Sequence, residues 1–263
     1  MKSHDVALSS SDTVADAISV DEHAAAELFA VVDLLEEQPP LRRSLSDPSA
    51  TVTDRQALAR RLLEGRVSPP ALHVIAEITG QAWPSGETLV AAIERQGIRG
   101  LLRTAREAGE LERVQEELNQ FAGTIDGSPE LADALRNRGR SLADRRALIA
   151  RLLSGKVTGI TMALANRAAA ARNRTVVLTL GHHLELAAEL AQERIARVVV
   201  ARPLDAARTQ RLRSALEAQV GGRVFLQFEV DPAVLGGMSV TLGSDVFEST
   251  IAARLDDVRR QLN

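Results

Sequence analysis

His182, His183 and Glu185 are the residues whose types and spacing come nearest to a metal site. Two imidazoles and a carboxylate would suit zinc, given a third ligand in reach and an open position. The spacing argues against it. Neighbours on a helix point about 100° apart, so His182 and His183 cannot both face one ion. His182 and Glu185 share a face at i, i+3, but no third ligand stands nearby in sequence. Solvated or partly packed histidines are expected instead. Asp231-Pro232 followed by Gly236-Gly237 could suggest a phosphate loop. The strand–glycine–helix layout and the lysine of a P-loop are missing, so a structural turn with close backbone approach is expected. There is no serine elbow and no cysteine, which excludes thiolate catalysis, disulfides and cysteine-based zinc sites. No catalytic, cofactor-binding or metal-ligating residue is expected, and no cofactor.

With chemistry set aside, composition bounds what the chain can bind. The 263 residues are 45% hydrophobic and 25% charged, with a net charge of −3. That balance gives no basic field for nucleic acid, and one Trp, five Phe and no Tyr leave few platforms for base stacking. The first 22 residues carry an acidic excess and no apolar core of signal-peptide length; a flexible tail or a short helix is expected there. No run approaches the roughly 18 apolar residues of a membrane span, so direct membrane insertion is not expected. Trp83 reads as a packing residue, with an interface anchor as the other possibility, since Trp is enriched at binding hot spots.

The strongest internal signal is a duplication. Positions 39–67 align without gaps on 129–157, twelve of the 29 pairs being identical, from Pro39/Pro129 to Val67/Val157. About two or three matches would arise from ordinary residue frequencies. The matched residues are helix punctuation. Thr51 and Ser141 are N-cap types with Asp54 and Asp144 three residues on, a capping-box arrangement. Gly65 and Gly155 suit left-handed helix ends, and Ser68 and Thr158 can cap the next helix. Leu58/Leu62 and Leu148/Leu152 stand at i, i+4 and predict one apolar stripe per unit. Between the units, Gly97, Gly100 and Gly109 argue against one unbroken rod, and Leu111, Val114 and Leu118 predict an apolar face. After about Arg197 the period becomes that of strands. Val198 to Ala201, Val224 to Val230, Met238 to Leu242 and Val246 to Glu248 read as strands. Asp205 caps a helix over 206–220, and Ile251, Leu255, Val258 and Leu262 predict a closing helix. The expected fold is mostly α with a C-terminal α+β domain: two tandem small helical bundles followed by β-α-β-β-β-α. The expected divisions are 1–22, 23–100, 101–196 and 197–263.

The last domain resembles the delta subunit of F-type ATP synthase, the oligomycin-sensitivity-conferring protein family. The resemblance is carried by Val224, Leu226, Val230, Asp231, Pro232, Leu235, Gly236, Gly237, Met238, Val240 and Gly243. Ala201-Arg202-Pro203-Leu204, Ser249-Thr250-Ile251 and Arg254-Leu255 add to it. Thr241 and the inserted Thr250 depart from the family cadence without touching backbone geometry. A typical member is about as long as 101–263, so the first repeat copy is extra, as in long actinobacterial-like forms. With no anchor in the sequence, the free-standing form is implied. The resemblance implies a non-catalytic stator subunit that links the peripheral stalk to the catalytic head, so that rotor torque is coupled to ATP synthesis and hydrogen ion transport. Its implied partners are the alpha subunits of the head, with the beta subunits as a further candidate, and the b-type stalk subunits. Its implied place is the cytoplasmic face of the bacterial plasma membrane, peripheral through the complex. A generic helical adaptor or scaffold is the alternative.

Overall fold

Helix punctuation dictates most of the architecture. The computed structural model describes residues 8, 11–12, 17–137, 139–172, 174–231, 234, 238–242 and 245–248. Two compact units divide the chain, Met1–Glu110 and Leu111–Asn263.

In the first unit, Asp21 accepts from the Ala24 amide and starts helix α1, Glu22–Glu37. Short α2 (Pro39–Leu45), α3 (Val52–Leu63), α4 (Pro69–Gly80) and α5 (Gly86–Glu107) follow. The glycine-bearing stretch is two helices, as expected, and the break falls at Gly109, at φ +72°, with the next helix starting at Leu111; α5 itself runs unbroken through Gly97 and Gly100. The glycines are there for contact. A Cβ at Gly97 would stand 2.6 Å from the Phe29 ring of α1, and one at Gly100 would stand 2.5 Å from Val20 Cγ1. Each glycine costs roughly 1 kcal/mol of helix propensity, offset here by close packing. The division expected at 100/101 thus falls inside a helix.

The second unit repeats the plan as α6 (Leu111–Asp126), α7 (Pro129–Arg136), α8 (Leu142–Leu153), α9 (Gly159–Ala170) and α10 (Val176–Ala191). The duplication is therefore larger than its sequence trace. Buried Leu28, Val32 and Leu35 of α1 correspond to buried Leu118, Ala122 and Ile125 of α6, again 90 positions apart. Ser141 and Asp144 form the expected capping box, and Gly65 and Gly155 both adopt positive φ, near 71–72°. The apolar stripe differs from expectation. Leu58, Leu62, Leu148 and Leu152 are only half-buried, while Ala59/Leu63 and Ile149/Leu153 face the core. Buried Arg55 turns α3 this way, because its guanidinium must reach the carbonyls of Asp47, Ala50, Thr79, Gly80 and Gln81. Arg145 of α8 does the same for Ala169.

The α+β region of the second unit has β1 (Arg194–Val200), α11 (Ala206–Val220), β2 (Val224–Val230), β3 (Met238–Leu242) and β4 (Asp245–Glu248). The sheet order is β2-β1-β3-β4. The β1–β2 pair is parallel across the α11 crossover, and the β1–β3 and β3–β4 pairs are antiparallel. Strand β1 starts earlier than its β-branched run because Arg194 and Ile195 pair with Val224 and Phe225. Its core is Ala196, Val198, Val200, Leu216, Val224, Leu226, Val240 and Leu242. Phe225 is also buried, so the front of β2 is covered on both faces and strict alternation fails there. The Gly236-Gly237 turn and the helix expected over 251–262 lie outside the described residues.

Candidate functional site

The residues with chemical potential separate from one another. His182 lies partly exposed with Nδ1 3.3 Å from Glu185 Oε2. His183 is fully buried, and neither ring nitrogen has a hydrogen-bond partner. Burial, then the neighbouring His182, Arg167 and Arg174, push its pKa down to about 3. It is a neutral core residue, more buried than the sequence suggested. Among the described residues no three His, Asp or Glu side chains gather as a metal group. Trp83 is buried and its indole N–H donates to the Ile78 carbonyl at 2.7 Å, which makes it a packing residue.

What the fold does present is apolar grooves. In the first unit, α1, α2 and α3 enclose about 470 Å³ between Leu34, Leu41, Leu45, Leu62 and Val67, with Glu27 and Arg66 also in its lining. In the second unit, α6, α7 and the start of α10 enclose about 440 Å³ between Ile125, Pro129, Leu135, Val176 and Leu178. A third cleft of about 690 Å³ lies between the outer face of α6 and the sheet region, with Phe225 and Phe228 in its wall. Leu178 is 62% exposed, the most exposed of the large hydrophobic side chains among the described residues. The α6–α7–α10 groove has a reason to open in the second copy. In the first copy Gly86 begins α5, and a Cβ there would meet the Arg42 stem at 2.8 Å. The second copy has Val176 at the same helix position. Beside this groove, Asp126 has its pKa raised, first by burial and then by the Glu229 carboxylate.

Polar contacts hold the groove walls. The Glu117 carboxylate on α6 accepts from the Thr158 amide at 2.8 Å and the Thr161 hydroxyl at 2.7 Å, capping α9. Glu27 on α1 does the same for Ser68 on α4. Ser68 therefore does not cap α4 through its own oxygen, as its position suggested; it donates to Glu27. Arg213 on α11 reaches Glu112 on α6 at 2.8 Å, tying the sheet region to the bundle within the second unit.

The family model for the ATP synthase delta (OSCP) subunit matches residues 99–262. The chain belongs to this family. It is 38% identical over 237 residues to ATP synthase subunit delta of Kineococcus radiotolerans, covering 90% of this chain and 86% of that protein. It is also 38% identical to the subunit delta of Cutibacterium acnes over 95% of each chain. The subunit delta of Thermobifida fusca is 38% identical over 90% of this chain and 88% of its own length. These relatives align far beyond the family model, so the first repeat copy belongs to the long, actinobacterial-like form of the subunit. As a family member the chain is a non-catalytic stator subunit that links the peripheral stalk to the catalytic head of the synthase. Its partners are subunits of that complex. No helix among the described residues is long and apolar enough to cross a membrane. Sequence reasoning found the family but no interface residue, because groove and core positions share one apolar pattern. Leu178 could have been found: it stands off the stripe of Val176, Leu180, Leu184 and Ala187 on α10.

Proposed function

We propose that the bundle of the second unit takes the N-terminal helices of the head's alpha subunits in the groove between α6, α7 and α10. The α+β region takes the b-type stalk subunits. The observation that carries this is Leu178, a leucine 62% exposed on the rim of an apolar groove inside the family-matched segment. Exposed leucine beside a concave apolar wall is what helix-in-groove recognition uses. The chain then works at the cytoplasmic face of the plasma membrane, peripheral through the complex. The first bundle, an added unit ahead of this one, lengthens the joint. Several contacts in one chain slow dissociation under load, because a contact that opens recloses at high effective concentration.

Leu178→Asp tests the groove. Being exposed, the position tolerates the change in the free subunit, so its melting temperature is expected to stay within a few degrees of wild type. Binding of a synthetic alpha N-terminal peptide is expected to weaken at least tenfold, as is reattachment of soluble head to stripped membranes. Undiminished binding and reattachment by the variant would refute the groove assignment.

A further inference from the structure

Strand β2 ends the sheet on one side, so one row of its backbone groups faces away from β1. Two hydrogen bonds fix which row that is. The Asp231 amide donates inward to the Val200 carbonyl at 2.9 Å, and the Val224 amide donates to the Glu217 carboxylate of α11 at 3.3 Å. Successive peptide groups point to opposite edges, so those of Leu226, Phe228 and Val230 point outward, like that of Val224. Among the described residues, none of these three outward N–H and C=O pairs has a hydrogen-bond partner. Leu226 is only 4% exposed, which makes unpaired peptide groups there costly. Neither lysine nor proline guards this edge: over Val224–Val230 the only charged residue is Glu229.

The edge opens on the cleft of about 690 Å³. Phe225 lies on one face of β2 and Leu226, Phe228 and Val230 on the other, yet all four line that cleft. A cavity that touches both faces of an end strand runs along its edge. Gly123 stands on the α6 wall of the same cleft. Glycine inside a helix lowers its stability, and no neighbour requires this one, since a Cβ there would meet no atom within 4 Å. It leaves the cleft wide enough for a backbone to approach.

Charge specifies the occupant. Burial, and then the Glu229 carboxylate, raises the pKa of Asp126 at the end of α6, so the two acids lie within electrostatic reach. Neither is paired with a cation among the described residues. A strand laid beside β2 sets one side chain next to Glu229 and the two flanking ones next to Phe228 and Val230, on the opposite face.

We propose that the β2 edge takes an extended segment of another protein as an added strand, the segment reading apolar, Lys or Arg, apolar. Its backbone pairs with Leu226, Phe228 and Val230, and its basic side chain lies against Glu229 and Asp126. Its apolar side chains cover Phe228 and the half-exposed Val230. Main-chain bonds supply the affinity and alternate side chains the specificity. The Leu178 groove takes no part, so either proposal can fail alone.

The test uses the full chain and a fluorescent peptide of alternating valine and threonine in which the central threonine is replaced by lysine. Wild type is expected to bind it at millimolar concentration or below, with slowed amide exchange at 226, 228 and 230 and none at α10. Glu229→Lys is expected to weaken binding about tenfold or more, and to prefer a peptide with glutamate in place of the lysine. Gly123→Leu, which fills the cleft from α6, is expected to weaken binding similarly while melting within a few degrees of wild type. Absence of slowing at the β2 amides overturns strand addition, as does equal binding by a peptide N-methylated along its backbone. Equal affinity of wild type and Glu229→Lys for both peptides overturns the basic requirement. Protection of the same amides without peptide, together with a doubled mass in sedimentation, makes the occupant a second copy and overturns the proposal.

Discussion

At the residue scale, the polar groups that matter are buried and local. His183 is held neutral, with a folded pKa near 3 against about 6.5 in the unfolded chain. Below pH 6.5 the unfolded chain therefore binds a proton that the folded protein refuses. The stability tied to this is fully present above 6.5 and is lost as pH falls toward 3, at roughly 1.4 kcal/mol per pH unit. His183→Leu removes the titration and two unpartnered ring nitrogens. Urea unfolding at pH 7.5 and 5.5 is expected to show wild type losing roughly 1.4 kcal/mol more than the variant between the two. Parallel losses would mean that the imidazole is hydrated in solution. The sequence showed the His182-His183-Glu185 triplet and a spacing ill-suited to one ion. It could not show which histidine was buried, since a helical period alone leaves the rotation of α10 about its axis open. Arg55 is the same lesson: a buried guanidinium ties five carbonyls, and so rotates the stripe of α3 by one residue from the Leu58/Leu62 face that the spacing predicts.

At the element scale, the duplication preserves contacts more faithfully than residues. Ser68 and Thr158 differ, yet Glu27 and Glu117 accept from both amides at 2.9 and 2.8 Å. Burial raises each carboxyl's pKa, but hydrogen bonds from Ser68, or from Thr161, Thr158 and Arg113, outweigh it and leave both pKa values lowered. Their stabilisation is therefore present above the ordinary glutamate range and lost as pH falls through the folded pKa values. Glu117→Ala is expected to cost about 1–3 kcal/mol, because the part-buried Thr158 amide and Thr161 hydroxyl lose their shared acceptor. Hydrogen exchange should speed at 158–162 first, whereas uniform acceleration would make the residue a general packing element. Gly100→Ala is expected to move stability opposite to helix propensity. The roughly 1 kcal/mol propensity gain is outweighed by overpacking of about 1–3 kcal/mol, since the added Cβ would stand 2.7 Å from Val20 Cβ and 3.1 Å from its carbonyl oxygen. A rise in melting temperature would show that Val20 gives way. Caps, the strands' existence and the 90-residue period were legible because each is a short-range pattern. The continuity of α5 was not: glycine reads as a breaker in sequence, and only the partner across the helix shows it as a point of close approach.

At the scale of the whole molecule, the compact units fix where the chain can be divided. A cut after residue 95 would split α5 and expose Ile98, Leu101, Leu102 and Ala105, all buried in the intact helix. A cut after Glu110 follows the positive-φ Gly109 and leaves both units with whole helices. The chain 111–263 is therefore expected to unfold in one cooperative transition and stay monomeric, and 96–263 to aggregate through its half-helix. The stator reading then makes a quantitative demand. If the second unit holds both the head groove and the stalk surface, 111–263 should restore proton-coupled ATP synthesis to stripped membranes, since the two essential attachments remain in one chain. If the first bundle lengthens the joint, the same chain should leave the head sooner, with a dissociation rate raised about tenfold or more for each attachment removed. Pulling that joint, or timing head release by dilution, separates these roles. Restored synthesis with faster release assigns coupling to the second unit and endurance to the first. Restored synthesis with unchanged release would leave the duplicated bundle without a part in holding the head.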